Sequence, residues 1–318
     1  MSDAAMTPAH RFTVGGALGF GFEVFGARPN SVLVLLIGQT LIYVATTLGQ
    51  LMLLGYMARQ GIQAAEMGDN AGAYVQSMHL STSSTLLSLL GLPFWIWLEA
   101  VWLTLFMSGR FTLWPGWAGM GRLALSMLIL FGVYLGALFA VVFVVMIGVV
   151  IAALAAESGT GDNSVAAALV VLGLALVAVT GMTAALSVFS GLPAHALSGR
   201  LDIGAAIRTG WRHAGGLTLA WILFVLLYLL VMIIGYGGIA LWVGDHVGMV
   251  FEDAVRDPAD PLLSMRLYAE LAPGLDRLGI SALVLTPIMF FVGLVMIIGR
   301  GISAKLALSM PVPAEKAA

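Results

Sequence analysis

The chain has no cysteine, which excludes a disulfide framework, a thiolate metal site and a cysteine nucleophile, and leaves the redox compartment unread. Charge is almost as scarce. Asp, Glu, Lys and Arg together make up 9% of the residues, against roughly a quarter in soluble globular domains. With 60% hydrophobic side chains there are too few polar groups to cover a water-facing surface, so an integral membrane protein is the class that remains. Catalytic motifs are missing too: there is no Walker loop, no Gly-x-Ser-x-Gly elbow and no His-x-x-x-His pair. Gly119-Met120-Gly121-Arg122-Leu123-Ala124 has the letters of a dinucleotide fingerprint, but no strand precedes it and it opens an apolar helix. Asp253, Asp257 and Asp260 lack the spacing of a calcium loop. No catalytic residue, metal or cofactor is therefore expected. The net charge of -2 gives no basis for a nucleic-acid partner.

What the chain does have is apolar length. A helix needs about 20 apolar residues to cross a bilayer, and six segments qualify, at about 31–57, 85–108, 123–155, 165–197, 217–244 and 279–300. Residues 1–10 are polar and small, and the first apolar run lacks the flanks of a cleavable signal, so no removal of a leader is expected. Six crossings put both termini on one side. That side holds 10 of the 14 basic residues: Arg11, Arg28, Arg110, Arg122, Arg200, Arg208, Arg212, Arg300, Lys305 and Lys316. The opposite loops hold four basic residues and eleven acids. Because basic residues resist translocation, the termini are expected in the cytoplasm of a bacterial inner-membrane protein.

A short module appears three times, opened by Arg11-Phe12-Thr13, Arg110-Phe111-Thr112 and Arg200-Leu201-Asp202. Without a gap, the first and third copies share Gly15 with Gly204, Ala17 with Ala206, Gly21 with Gly210 and Gly26 with Gly215. Val14, Leu18 and Phe22 match Ile203, Ile207 and Trp211 at i, i+4 and i+8, one face of a helix. Thr13, Thr112 and Asp202 are N-cap residue types at the same place in each copy. The spacing predicts an interfacial amphipathic helix before each odd-numbered span, anchoring it at the headgroup layer. Arg11, Arg110, Arg200 and Arg300 mark the cytoplasmic boundary, and Gly109-Arg110, Gly199-Arg200 and Gly299-Arg300 close the repeats. The expected fold is all-α: one polytopic membrane domain over 11–306, in three pseudo-repeated hairpins of about 11–109, 110–199 and 200–306. Flexible cytoplasmic ends are expected at 1–10 and 307–318.

This arrangement, over roughly residues 10–306 and in segments such as Ile203 to Trp211, resembles the bacterial YciC-type inner-membrane proteins. It is also similar to the related membrane domain fused to some glycerophosphoryl diester phosphodiesterases. The resemblance implies a fold and a membrane location. It implies no activity, since no soluble phosphodiesterase domain is present.

Glu99 is the acidic residue well inside a span. It precedes Arg110 by 11 residues, about 16 Å along a helix, which places it near the bilayer midplane. A carboxyl group there is a functional hypothesis by default, as a proton or substrate site, and otherwise needs structural hydrogen-bond partners. Gln39 and Tyr43 of the first span reach a similar depth and are the expected partners. Phe94, Trp95, Trp97, Trp102 and Phe106 surround it and either line a cavity or pack. Gly132, Gly136, Ala140, Gly148, Ala152 and Ala156 fall on a four-residue repeat, interrupted only by Val144, that permits close helix approach, within the chain or through Gly132, Gly136 and Ala140 in a homo-oligomer. Pro93, Pro193 and Pro287, and the Gly235-Tyr236-Gly237-Gly238 run, are kink or hinge positions. His195 reads as an interface residue. Asp260-Pro261 is expected to open a short outer helix. By elimination the expected role is non-enzymatic and envelope-organising, with membrane lipids and a possible membrane-protein partner. The alternative is a small transporter or channel working through Glu99. A lipid enzyme using Glu99 and His195 is disfavoured by their difference in depth of roughly 6 Å.

Overall fold

The structure is a computed structural model that describes residues 12–157, 163–199, 201–256, 262–274 and 277–310. Arg11, Arg200, Lys316, Asp257, Asp260 and Pro261 lie outside the described residues. Among those described, every regular element is an α-helix. In chain order they are α1 (Val14–Ala27), α2 (Pro29–Glu66), α3 (Asn70–Ser108), α4 (Trp117–Glu157), α5 (Asn163–Phe189), α6 (Leu192–Leu197), α7 (Ile203–Arg212), α8 (Ala214–Arg256), α9 (Leu263–Leu271) and α10 (Leu278–Leu308). Among the described residues, six segments are long and apolar enough to cross a membrane: Pro29–Glu66, Ala71–Ser108, Trp117–Val150, Leu169–Leu197, Ala214–Gly235 and Leu278–Leu308. The protein is thus an all-helical chain of membrane-spanning composition, with the six spans in the expected order.

Local chemistry sets the helix ends. The Thr13 hydroxyl accepts the Gly16 N–H at 3.1 Å, and an Asp202 carboxylate oxygen accepts the Ala205 N–H at 2.8 Å, so α1 and α7 open with side-chain caps. Thr112 does not. Residues 110–116 are non-helical and the next helix begins at Trp117. Pro115 disfavours the helical conformation at Trp114, and Gly116 takes a φ of +85°, so the middle copy cannot run as the helix expected there. The fourth span also departs from a single rod. It breaks at Ser190-Gly191 and resumes as α6, where Pro193 fills a first-turn position and needs no N–H partner. The sixth span runs eight residues past Arg300, so the helix does not stop at Gly299-Arg300 and takes in Ala307 and Leu308.

The chain forms two compact units. One comprises the residues up to Arg28, Glu99–Val225 and those from Ile297 on; the other comprises Pro29–Leu98 and Leu226–Met296. In the first, α4 packs on α5 and α6, and α5 on α7. Its largest buried side chains include Trp102, Leu103, Leu105, Leu123, Leu217 and Ile302. No residue is buried in the most apolar stretches of α4 and α5. A Cβ placed on Gly148 would meet Leu174 at 3.1 Å and Val171 at 3.7 Å, so this part of the small-residue repeat serves α4–α5 packing. Gly132, Gly136 and Ala140 are exposed.

In the second unit α2 packs on α9. The contact is glycine-made: a Cβ on Gly55 would strike Ala272, and one on Gly61 would strike the Met265 sulfur. Between them, Arg59 Nη2 donates to the carbonyls of Ala269 at 3.2 Å and Ala272 at 3.0 Å, satisfying acceptors that the end of α9 leaves open. Gly235 is a close-approach position as well, since a Cβ there would lie 2.7 Å from the Ile288 side chain on α10.

Candidate functional site

Leu98 to Leu103 of α3 are all buried, and Glu99, Trp102, Leu103 and Phe106 share one helix face by their i, i+3, i+4, i+7 spacing. A carboxylate on that face must be compensated. The compensation comes from α10: Arg300 Nε donates to Glu99 Oε2 at 2.9 Å, and Nη2 lies 2.9 Å from the same oxygen. Side-chain exposure is 2% for Arg300 and 12% for Glu99, so the pair is shielded from water. One face of the guanidinium is covered by the Trp102 ring, whose centroid is 4.8 Å from Cζ.

The rings continue from there. Trp102 meets Phe106 at 6.2 Å, Phe106 meets Phe20 of α1 edge-on at 6.3 Å, and Lys305 Nζ stands 5.0 Å from the Phe20 centroid. Two cations of α10, five residues apart, are joined through three aromatic rings supplied by α3 and α1. The approach of α1 that this requires is made by glycine. A Cβ on Gly21 would lie 2.7 Å from the Ile297 carbonyl oxygen, and one on Gly301 would lie 2.7 Å from the Gly21 nitrogen. Backbone contact of that kind leaves no room for any other residue.

Gln39, 1% exposed, and the partly buried Tyr43 belong to the second unit, where a Cβ on Gly293 would stand 3.8 Å from Gln39 Nε2. The group that meets Glu99 is Arg300, which the charge pattern assigns to the boundary. Its apolar surroundings tolerate it because the carboxylate neutralises it. Of the aromatic residues around Glu99, Trp102 and Phe106 are buried beside the pair, whereas Trp95 is 38% exposed. Arg110 is exposed, and its N–H donates to the Ser108 hydroxyl at 3.2 Å. His195 is buried in α6, and its carbonyl accepts the Ser198 N–H and hydroxyl at 3.0 and 2.7 Å. Arg122 of α4 donates from Nε to the Ala196 carbonyl at 3.0 Å, fixing α6 against α4. His213 caps the end of α7, with its ring 5.4 Å from that of Phe12. Burial first, and then the neighbouring Arg212, hold its imidazole below the ordinary value of 6.5.

Chemically, the arrangement is a closed ion pair. A carboxylate oxygen that already accepts from a guanidinium is a poor general base, and the charges cancel. Among the described residues, no three His, Asp or Glu side chains come together as a metal site. Comparison with protein-family models, with curated proteins and with solved structures found no match.

Proposed function

We propose that this chain is a non-enzymatic integral protein of a bacterial inner membrane, with cytoplasmic termini and an envelope-organising role exercised through lipid or partner contacts. On this reading it groups with the YciC-type proteins that it resembles, and its three modules are pseudo-repeats. The observation that carries the proposal is the Glu99–Arg300 pair. The charged group best placed for chemistry in a span is instead spent on tying α3 to α10 beneath Trp102. The unburied stretches of α4 and α5 supply contact area for lipid or a partner, with Gly132, Gly136 and Ala140 available to a facing helix. The test is purification of the tagged full chain in mild detergent, with identification of the lipids and proteins that travel with it. Reproducible enrichment of one class supports the role, and recovery of the chain alone counts against it.

A second reading, as a small transporter or channel, is favoured by one observation. Both helices of the ion pair carry an internal proline, Pro93 six residues before Glu99 and Pro287 thirteen residues before Arg300. A kink at such sites could open the pair during a cycle. Glu99→Gln should then abolish flux in reconstituted vesicles, and unchanged flux rejects it.

A further inference from the structure

Helix α7 has three distinct faces. At 100° per residue, Ala205, Ala206, Thr209 and Gly210 cover one side, and all four are buried. Gly210 touches the backbone of Val188 in α5, so this side is packed as closely as a helix allows. Using only small residues for packing leaves every large side chain facing out. Ile203, Ile207 and Trp211 form the second face, with Trp211 66% and Ile203 38% exposed. Arg208 and Arg212 form the third, one turn apart and both exposed.

Helix α1 is an internal control. At matching positions it buries Ala17 and Gly21, the latter against α10, and it leaves Phe22 53% exposed. It therefore repeats the packing face and the apolar face. The third face differs: Gly19 and Glu23 stand where α7 has Arg208 and Arg212. The apolar and packing faces account for anchoring in both helices, and the arginines are an addition peculiar to α7.

We infer that the Trp211–Arg208–Arg212 surface of α7 binds the phosphate groups of anionic phospholipids in the leaflet it lies on, whereas α1 anchors without charge selection. The arginines at i and i+4 stand about 5–6 Å apart at Cβ, and each guanidinium can take a phosphate through two parallel hydrogen bonds. Tryptophan beside them suits the headgroup level, with its ring toward the chains and its N–H toward water. The inference rests on the membrane reading above and names the lipid class that α7 selects.

The experiment uses the full chain in mixed micelles of equimolar phosphatidylglycerol and phosphatidylcholine, with bound lipids counted by native mass spectrometry. Each arginine near an anionic surface contributes about 1 kcal/mol, so Arg208→Gln/Arg212→Gln should lower the phosphatidylglycerol preference about 30-fold. The converse graft, Gly19→Arg/Glu23→Arg on α1, should raise it, and this keeps the test open if the first variant folds poorly. An unchanged preference in the double variant overturns the inference. So does loss of a co-purifying acidic protein with lipid selection intact, which would make the surface a protein dock. Since the chain has no cysteine, Trp211→Cys gives a unique nitroxide site for a depth measurement. A label in bulk water defeats the membrane placement itself, whereas a label at headgroup depth with no lipid selection defeats only the assignment to α7.

Discussion

Removing one partner of the Glu99–Arg300 pair should be much more damaging than removing both. In Glu99→Leu the guanidinium is stranded with 2% of its side chain exposed, and a guanidinium cannot shed its charge at accessible pH. A stranded buried charge costs about 3–5 kcal/mol. The Trp102 face at 4.8 Å stays in place and offsets roughly 0.5–2 kcal/mol of this, so a net loss near 3 kcal/mol is expected. Arg300→Met leaves the Glu99 carboxyl group, 12% exposed, without its guanidinium donor, and loss of that charged hydrogen bond costs about 1.5–3 kcal/mol. In Glu99→Leu/Arg300→Met two apolar chains of similar length replace the pair, and the variant should lie within about 1 kcal/mol of the parent. Unfolding in mild detergent, followed by tryptophan fluorescence across an SDS titration, gives all four corners of the cycle. The predicted signature is a double variant more stable than either single, with the singles summing to about 3 kcal/mol or more beyond it. Additive losses, or singles within about 0.5 kcal/mol of the parent, would show that the pair does not hold α3 to α10 and would refute the argument.

Three further outcomes follow from the same geometry. Asp202→Ala should cost about 1 kcal/mol through loss of the α7 cap, Thr13→Ala a similar amount in α1, and Thr112→Ala nothing measurable in the same titration, because Thr112 caps no helix. Gly21→Ala should destabilise by about 1–3 kcal/mol, since the new methyl meets the Ile297 carbonyl, whereas Gly15→Ala, with nothing within 4 Å, should gain up to about 1 kcal/mol of helix propensity. His213, held below its ordinary value of 6.5 in the folded chain, resists a proton that the unfolded chain accepts. Its contribution is therefore intact above that value and is lost as pH falls from it through the lower folded value. Melting curves between pH 7.5 and 5 should show this loss, and His213→Gln should flatten the acid limb.

Much of this architecture is readable from residue order, for a definite reason. Apolar length is a one-dimensional property, so six spans can be counted without knowing what touches what. Capping is similarly local: Thr13 and Asp202 act on the N–H three residues ahead. The middle copy misleads because its first residues match the module, while Pro115 and Gly116, a few positions on, govern whether a helix can form there. Glu99 is identifiable as the residue needing explanation, but its partner lies 201 residues away, and no local pattern reports a pairing at that separation.

A signal for Arg300 is nonetheless present in the chain. Past it, the apolar run resumes at Gly301-Ile302 and ends in Ala307-Leu308-Ser309, repeating Ala196-Leu197-Ser198 at the end of α6. The two serines even make the same turn, each hydroxyl donating to the carbonyl three residues back, at 2.7 Å for Ser198 and 2.6 Å for Ser309. Arg300 falls nine residues before Ser309, just as Glu99 falls nine residues before Ser108 at the end of α3. The two charges thus occupy matching levels of two helices, and opposite signs at one level require each other once water is excluded. The Gly-Arg dipeptide suggests a boundary only when it is taken by itself. Arg300 sits about two helical turns inside the end of its helix and is buried, and a buried guanidinium needs a carboxylate opposite it.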